Sequence, residues 1–158
     1  MPQSIPEPEF DELYRELILD HYRNPRHREP LAQPDVVAEG YNPLCGDEVE
    51  LRLAFEDGVV RDVSFGGRGC SISRASGSML TDLVIGKPVA DARRLSALFT
   101  KMLTEPEGEP PEELGDLEAF QGVARLPVRV KCATLAWHTL EDGLEQHESG
   151  GRVARHEE

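Results

Sequence analysis

The sequence predicts an α+β domain, a small three-stranded antiparallel sheet packed against helices, and three observations carry that expectation. Val49, Leu51, Leu53 and Phe55 alternate with Glu50, Arg52 and Ala54, the two-residue period of a strand with one buried face. Asp57-Gly58 then gives a strong hairpin signal, and Val59, Arg61, Val63 and Phe65 return along a second strand. Beyond Cys70 the apolar residues switch to three- and four-residue steps, the helical period.

In chain order, residues 1–8 carry three prolines and are expected to be disordered. Phe10, Leu13, Tyr14, Leu17, Ile18 and Tyr22 mark an amphipathic helix, which Asn24-Pro25 stops because proline disfavours helix at the residue before it. His21 lies on the edge of that stripe, and with no cysteine near it in sequence a packed structural histidine is the preferred reading. A third, weaker strand is expected around Val36 to Tyr41, before Cys45.

Two helices follow the hairpin. Ile72, Ala75, Met79, Leu80, Leu83 and Val84 define one from Ser71 to Ile85, closed by Gly86 and Pro88. Leu95, Leu98, Phe99, Met102 and Leu103 define another from Ala90 to Leu103. Residues 104–122 form an acidic insertion. Its first part holds five glutamates, three prolines and no basic residue, which predicts a solvated excursion, with a short helix near Asp116 to Gln121. Pro127 suits the first turn of a last helix running to about Asp142, with Gly143 near its end. The domain is expected to span 9–146, with 147–158 a flexible tail.

At 158 residues the chain is long enough for one domain with a real core. No stretch approaches the roughly 20 apolar residues a spanning helix needs, and the N-terminal residues lack the basic and apolar regions of a secretory signal. Three cysteines, an odd number, without such a signal argue for reduced thiols in the cytoplasm. A formal charge of −13 repels phosphate backbones and anionic lipid, so neither nucleic acid nor membrane is an expected partner. Basic patches on other proteins are the compatible surfaces; simple solubility explains the charge equally well.

The thiols carry the functional signal. Cys45 lies in Asn42-Pro43-Leu44-Cys45-Gly46-Asp47, where a thiol and a carboxylate sit two positions apart and Gly46 gives the loop freedom to bring them to one point. Cys70 ends Gly66-Gly67-Arg68-Gly69-Cys70 at the start of a helix, and Cys132 lies near the start of another. A helix N-terminus favours the thiolate. Singly, each cysteine could be a buried apolar filler. Together, Cys45, Asp47, Cys70 and Cys132 make a complete tetrahedral set for Zn2+, or one that could hold Fe2+ or a [2Fe–2S] cluster.

No Cys-x-x-Cys pair is present, so the fold must assemble the site. Three thiolates and a carboxylate around zinc leave net negative charge and no open position, which disfavours metal-assisted hydrolysis. A thiolate released from that centre is instead a competent nucleophile toward the outer sulfur of a persulfide. Asp47 is a hard ligand in a soft set and Cys45 sits on the loop, so this corner should exchange most readily. Lys131, with Arg129, could offset part of the negative charge; a solvated helix face is the alternative for both.

At these residues the chain resembles the iron–sulfur cluster assembly scaffold family, the IscU/NifU N-terminal-like proteins, over about Phe10 to Leu144. The resemblance rests on Asp20-His21-Tyr22-Arg23-Asn24-Pro25-Arg26, on Asn42 to Asp47, on Gly67-Arg68-Gly69-Cys70-Ser71-Ile72-Ser73-Arg74-Ala75-Ser76, and on Lys131-Cys132-Ala133-Thr134-Leu135-Ala136-Trp137. The long interval between Cys70 and Cys132, its acidic stretch, and Lys131 where ISC-type members place a histidine make it look most like the SUF-type, SufU subgroup. The resemblance implies metal ligands Cys45, Asp47, Cys70 and Cys132, with Lys131 and Gly46 beside them. It further implies a zinc-bound acceptor of persulfide sulfur from a cysteine desulfurase, at Cys45, passing it to downstream Fe–S assembly or recipient apo-proteins. That activity would be at most a zinc-dependent sulfurtransferase. The alternative is a non-enzymatic scaffold assembling a [2Fe–2S] cluster on the same ligands, and a third reading is a zinc ion that only holds the fold.

Overall fold

The computed structural model describes residues 12–105 and 107–158, so the stretch 1–8 and Phe10 lie outside the described residues. The elements are α1 (Glu12–Arg23), β1 (Val36–Asn42), β2 (Asp47–Glu56), β3 (Val59–Arg68), α2 (Ser71–Val84), α3 (Val89–Thr104), a 3₁₀ segment (Glu112–Arg125), α4 (Pro127–Glu148) and β4 (Val153–Glu157).

The hairpin forms as its sequence dictates. Asp57 and Gly58 both take positive φ, 52° and 76°, which matches the twist of a two-residue turn to that of β2 and β3. β1 pairs antiparallel with β2 so that Asn42 stands opposite Asp47, leaving only residues 43–46 to turn the chain. Leu51, Leu53, Val60 and Val63 from the sheet and Leu80, Phe99, Leu135, Trp137 and Leu140 from the helices close the core with essentially no exposure.

The sheet is not the three-stranded antiparallel one expected. It has four strands in the order β3-β2-β1-β4, and β4 runs parallel to β1, pairing Val37 with Val153 through Tyr41 with Glu157. This strand comes from the segment read as a tail. Its only well-buried residue is Ala154, so its charged sequence carries no strand period. What orders it is the open edge of β1 together with side-chain bonds to α4: His156 Nδ1 to Asp142 at 3.0 Å, and Glu158 to His138. The Glu158 hydrogen bond also holds the His138 imidazole above its ordinary pKa, against the effect of burial.

Two further expectations give way. α4 continues through Gly143 to Glu148 because that glycine serves close packing: a Cβ there would stand 2.6 Å from Leu53 Cδ1 and 3.3 Å from Ala38 Cβ. The acidic insertion is also not simply solvated. Its glutamates face water, but Leu114 is fully buried, Gly115 then breaks the helix with φ 52°, and beyond it Leu117, Phe120 and Val123 are fully buried at three-residue steps, the repeat that puts one side of a 3₁₀ helix against a core.

His21 is only 5% exposed, and Ser78 Oγ lies 2.7 Å from its Nδ1. Ser78 Oγ also accepts the Arg26 N–H at 2.9 Å, so one hydroxyl ties the histidine to the chain that follows α1. Burial first and Arg26 second push His21 below its ordinary pKa of 6.5, against Asp82, Asp20 and Asp116. With the native pKa depressed, the unfolded chain binds the proton first. His21 therefore contributes stability above pH 6.5 that is lost as pH falls below it. Urea unfolding between pH 7 and 5 should show this decline, and His21→Gln should flatten it; equal slopes in both proteins would exclude His21 as the titrating group.

Candidate metal centre

The site lies where the β1–β2 turn meets the first turns of α2 and α4. Asn42 ends β1 and Asp47 begins β2, and both are fully buried. The turn between them is tied by Gly46 N–H to Asn42 O at 2.8 Å and Leu44 N–H to Asn42 Oδ1 at 3.2 Å. Gly46 takes φ +74°, the conformation expected to let the turn double back. Cys45 is thereby held half-buried beside the buried carboxylate.

Cys132 projects from the second turn of α4 and is fully buried. Its thiol lies 3.2 Å from Cys45 Sγ, and the ligand atoms of Cys45, Asp47 and Cys132 all lie within 4.8 Å of one another. Cys70 stands at the edge of this cluster. It caps α2, its Sγ accepting the Ser73 N–H at 3.5 Å, while its own N–H donates to Asp47 Oδ1 at 2.9 Å. The Cys132 thiol is its neighbour within the cluster. The structure thus gathers all four candidate ligands, three in one tight group and the fourth touching it.

The electrostatics divide the thiols. Cys70 is held below the ordinary thiol pKa by its hydrogen bond from Cys132, against burial, with the Ser73 N–H and the Arg129 guanidinium helping. Cys132 is pushed far upward by its bond to Cys70 and by burial, with Asp47 and Cys45 adding to it. Several negative charges cannot share this pocket unaided, so Cys132 keeps its proton until a cation replaces it.

Two residues that hold the site were under-read. Asn42 Nδ2 donates to Asp47 Oδ2 at 3.5 Å and to Cys132 Sγ at 3.7 Å, bridging turn and helix. The signal for it was register, since Asn42 and Asp47 flank a four-residue turn. Arg129, 6% exposed, is the cation that favours the Cys70 thiolate. It lies three residues before Cys132, on the same helical face. Lys131 is instead exposed and lines a separate hollow with Thr134, His138 and Glu158.

The donor chemistry fits a soft or borderline cation. Asp47 is a fully buried carboxylate whose partners are amide N–H groups, with no ion-pair partner among the described residues. Zinc or iron would be held by Cys45, Asp47, Cys70 and Cys132. Gly69 belongs to this arrangement, because a Cβ on it would press into Asp47 Oδ1. Gly69→Ala should therefore displace the carboxylate and weaken zinc binding at least tenfold in a chelator competition. Unchanged affinity would show that Asp47 is not a ligand.

Comparison with known proteins gives the family. The model of the NifU-like N-terminal domain matches residues 13–133. The chain is 44% identical to the zinc-dependent sulfurtransferase SufU of Bacillus subtilis (strain 168), covering 89% of this chain and 95% of that one. It is 39% identical to the iron–sulfur cluster assembly scaffold protein IscU of Streptococcus pyogenes serotype M1, covering 87% and 86%. A crystal structure described as a putative iron–sulfur cluster assembly scaffold protein for the SUF system, from Fervidobacterium islandicum AW-1, superposes with a TM-score of 0.77 at 35% identity, covering 82% of this chain and 94% of that one. The family model, the sequence identities and the shared fold together place this chain in the NifU-like N-terminal domain family of IscU and SufU proteins.

Proposed function

We propose that this protein serves iron–sulfur cluster biogenesis as a zinc-bound sulfur acceptor, taking persulfide sulfur from a cysteine desulfurase onto Cys45 through a site made of Cys45, Asp47, Cys70 and Cys132. The observation that carries the reading is the asymmetry of the cluster: Cys132 is sealed in the core and Cys70 is tied into a helix cap, whereas Cys45 sits half-buried on a turn beside Leu44, which is 61% exposed. Bound zinc would keep the thiols ionised as ligands. The Cys45 thiolate attacks the outer sulfur of the desulfurase persulfide. A new S–S bond forms on Cys45, the old one breaks, and the desulfurase cysteine leaves as a thiolate, with no net oxidation. Asp47, Cys70 and Cys132 stay in place, and Arg129 offsets part of their charge.

Exposed Leu44 and Val128 lie next to Cys45 and one turn before Cys132, and supply an apolar rim for the donor protein. No helix among the described residues is long and apolar enough to cross a membrane. The test is incubation with the cognate desulfurase and cysteine, followed by peptide mass analysis. The mass of one added sulfur on Cys45, with faster desulfurase turnover, supports the reading. Unmodified Cys45 with turnover unaffected rejects it.

The second reading, a scaffold assembling a [2Fe–2S] cluster as cargo, is favoured by the third sulfur within reach and by the relatives named as scaffolds. Anaerobic loading with iron and sulfide, yielding a visible cluster that transfers intact to an apo-ferredoxin, would support it.

A further inference from the structure

On the far side of α4 from the thiols a second constellation converges. His138 projects from the middle of α4, His156 from β4, and Glu158 follows β4. Their ligand atoms, two imidazole nitrogens and a carboxylate oxygen, all lie within 4.8 Å of one another. Both imidazoles address the same oxygen: Glu158 Oε1 is hydrogen-bonded to His138 Nδ1 and lies 3.0 Å from His156 Nε2.

The far nitrogen of each ring is also engaged. His156 Nδ1 lies 3.0 Å from Asp142 Oδ2, and His138 Nε2 lies 3.4 Å from Thr100 Oγ1. This is the arrangement that orients metal-binding histidines, in which an outer acceptor takes the proton on one nitrogen and turns the lone pair of the other inward.

We propose that His138, His156 and Glu158 form a second divalent-metal site of the zinc class, separate from the cysteine cluster, which fastens β4 to α4. Two imidazoles and one carboxylate are borderline donors suited to zinc or nickel, and too poor in oxygen for magnesium or calcium. The N···O spacing of 3.0 Å is close to the roughly 3.3 Å between neighbouring ligand atoms at about 2.0–2.1 Å from a tetrahedral ion. An entry path exists, because the cluster borders an open hollow of about 390 Å3 that His138 and Glu158 line with Thr134 and Lys131. Three protein ligands leave a fourth position for water. The cost of leaving β4 unpinned would be an exposed edge on β1.

The test uses the full chain preloaded with one equivalent of Zn2+ at the thiols, so that only additional binding is read. Equilibrium dialysis against Ni2+ or Zn2+, with elemental analysis, should show a second equivalent, with shifts of the His138 and His156 ring-proton NMR signals. His156→Gln and His138→Gln should each weaken that second equivalent at least tenfold while the first remains, with folding checked by circular dichroism. Should His138→Gln disturb α4, His156→Gln on the edge strand alone decides. No second equivalent, unchanged affinity in His156→Gln, or NMR shifts confined to His21, His27 and His147 would overturn the proposal.

Discussion

Cys45→Ser is expected to abolish persulfide acceptance, taking added sulfur at this position below detection, while leaving the fold intact. Cys45 lies on a short turn at the edge of the core, and its nearest partner is the Cys132 thiol. Its loss removes one soft ligand and the nucleophile, and only the partial packing of a half-buried side chain against the core. Cys132→Ser is the contrasting variant. It puts a hydroxyl at a fully buried position of α4 and should cost folding stability as well as metal. Thermal unfolding separates the two. Cys45→Ser should melt within a few degrees of the parent when both are compared without metal. If, with zinc loaded, Cys45→Ser loses stability and function together as Cys132→Ser does, an ion that only holds the fold is the better reading.

Phe120→Ala is expected to destabilise the protein by about 3–5 kcal/mol, a large part of the roughly 5–15 kcal/mol that keeps a domain folded. Phe120 is fully buried in the 3₁₀ segment, with its ring edge-on to Phe99 at 5.7 Å between centroids; Phe99 in turn lies 5.5 Å from Trp137 of α4. The aromatic chain joins the acidic segment to the helix that carries Cys132, so the variant should also weaken zinc binding. Urea denaturation measures the first effect. A loss below about 1 kcal/mol would mean that the segment is the solvated excursion its glutamates suggest.

Where local chemistry decides, the fold was legible. The hairpin follows from alternation plus Asp57-Gly58, and α2 and α3 from their apolar spacing, because each pattern states which face is buried. β4 was not legible. Val153 and Arg155 face water and only Ala154 faces the core, so nothing local marks a strand; its partner, β1, lies over a hundred residues earlier. The 3₁₀ stripe of Leu117, Phe120 and Val123 was in plain sight, but a three-residue period falls between those of helix and strand, and dense glutamate and proline masked it. Gly143 was misread as a stop because a glycine needed for helix–sheet contact looks, in sequence, like one that ends a helix.

For the site, residue types pointed to the ligands, and the fold brings Cys45, Asp47 and Cys132 together. The supporting residues were harder. Arg129 and Lys131 look equivalent as letters, yet a helix turns them to different faces, one buried near Cys70 and the other exposed toward Thr134 and His138. Asn42 declared itself only through its pairing with Asp47.

The central claim is that Cys45, Asp47, Cys70 and Cys132 enclose one ion, and X-ray absorption at the zinc edge tests it most directly. For protein carrying one equivalent of zinc the account predicts three sulfur neighbours at about 2.3 Å and one oxygen at about 2.0–2.2 Å, with one sulfur lost in Cys45→Ser. A shell of nitrogen and oxygen only, or a shell unchanged by Cys45→Ser, would contradict it.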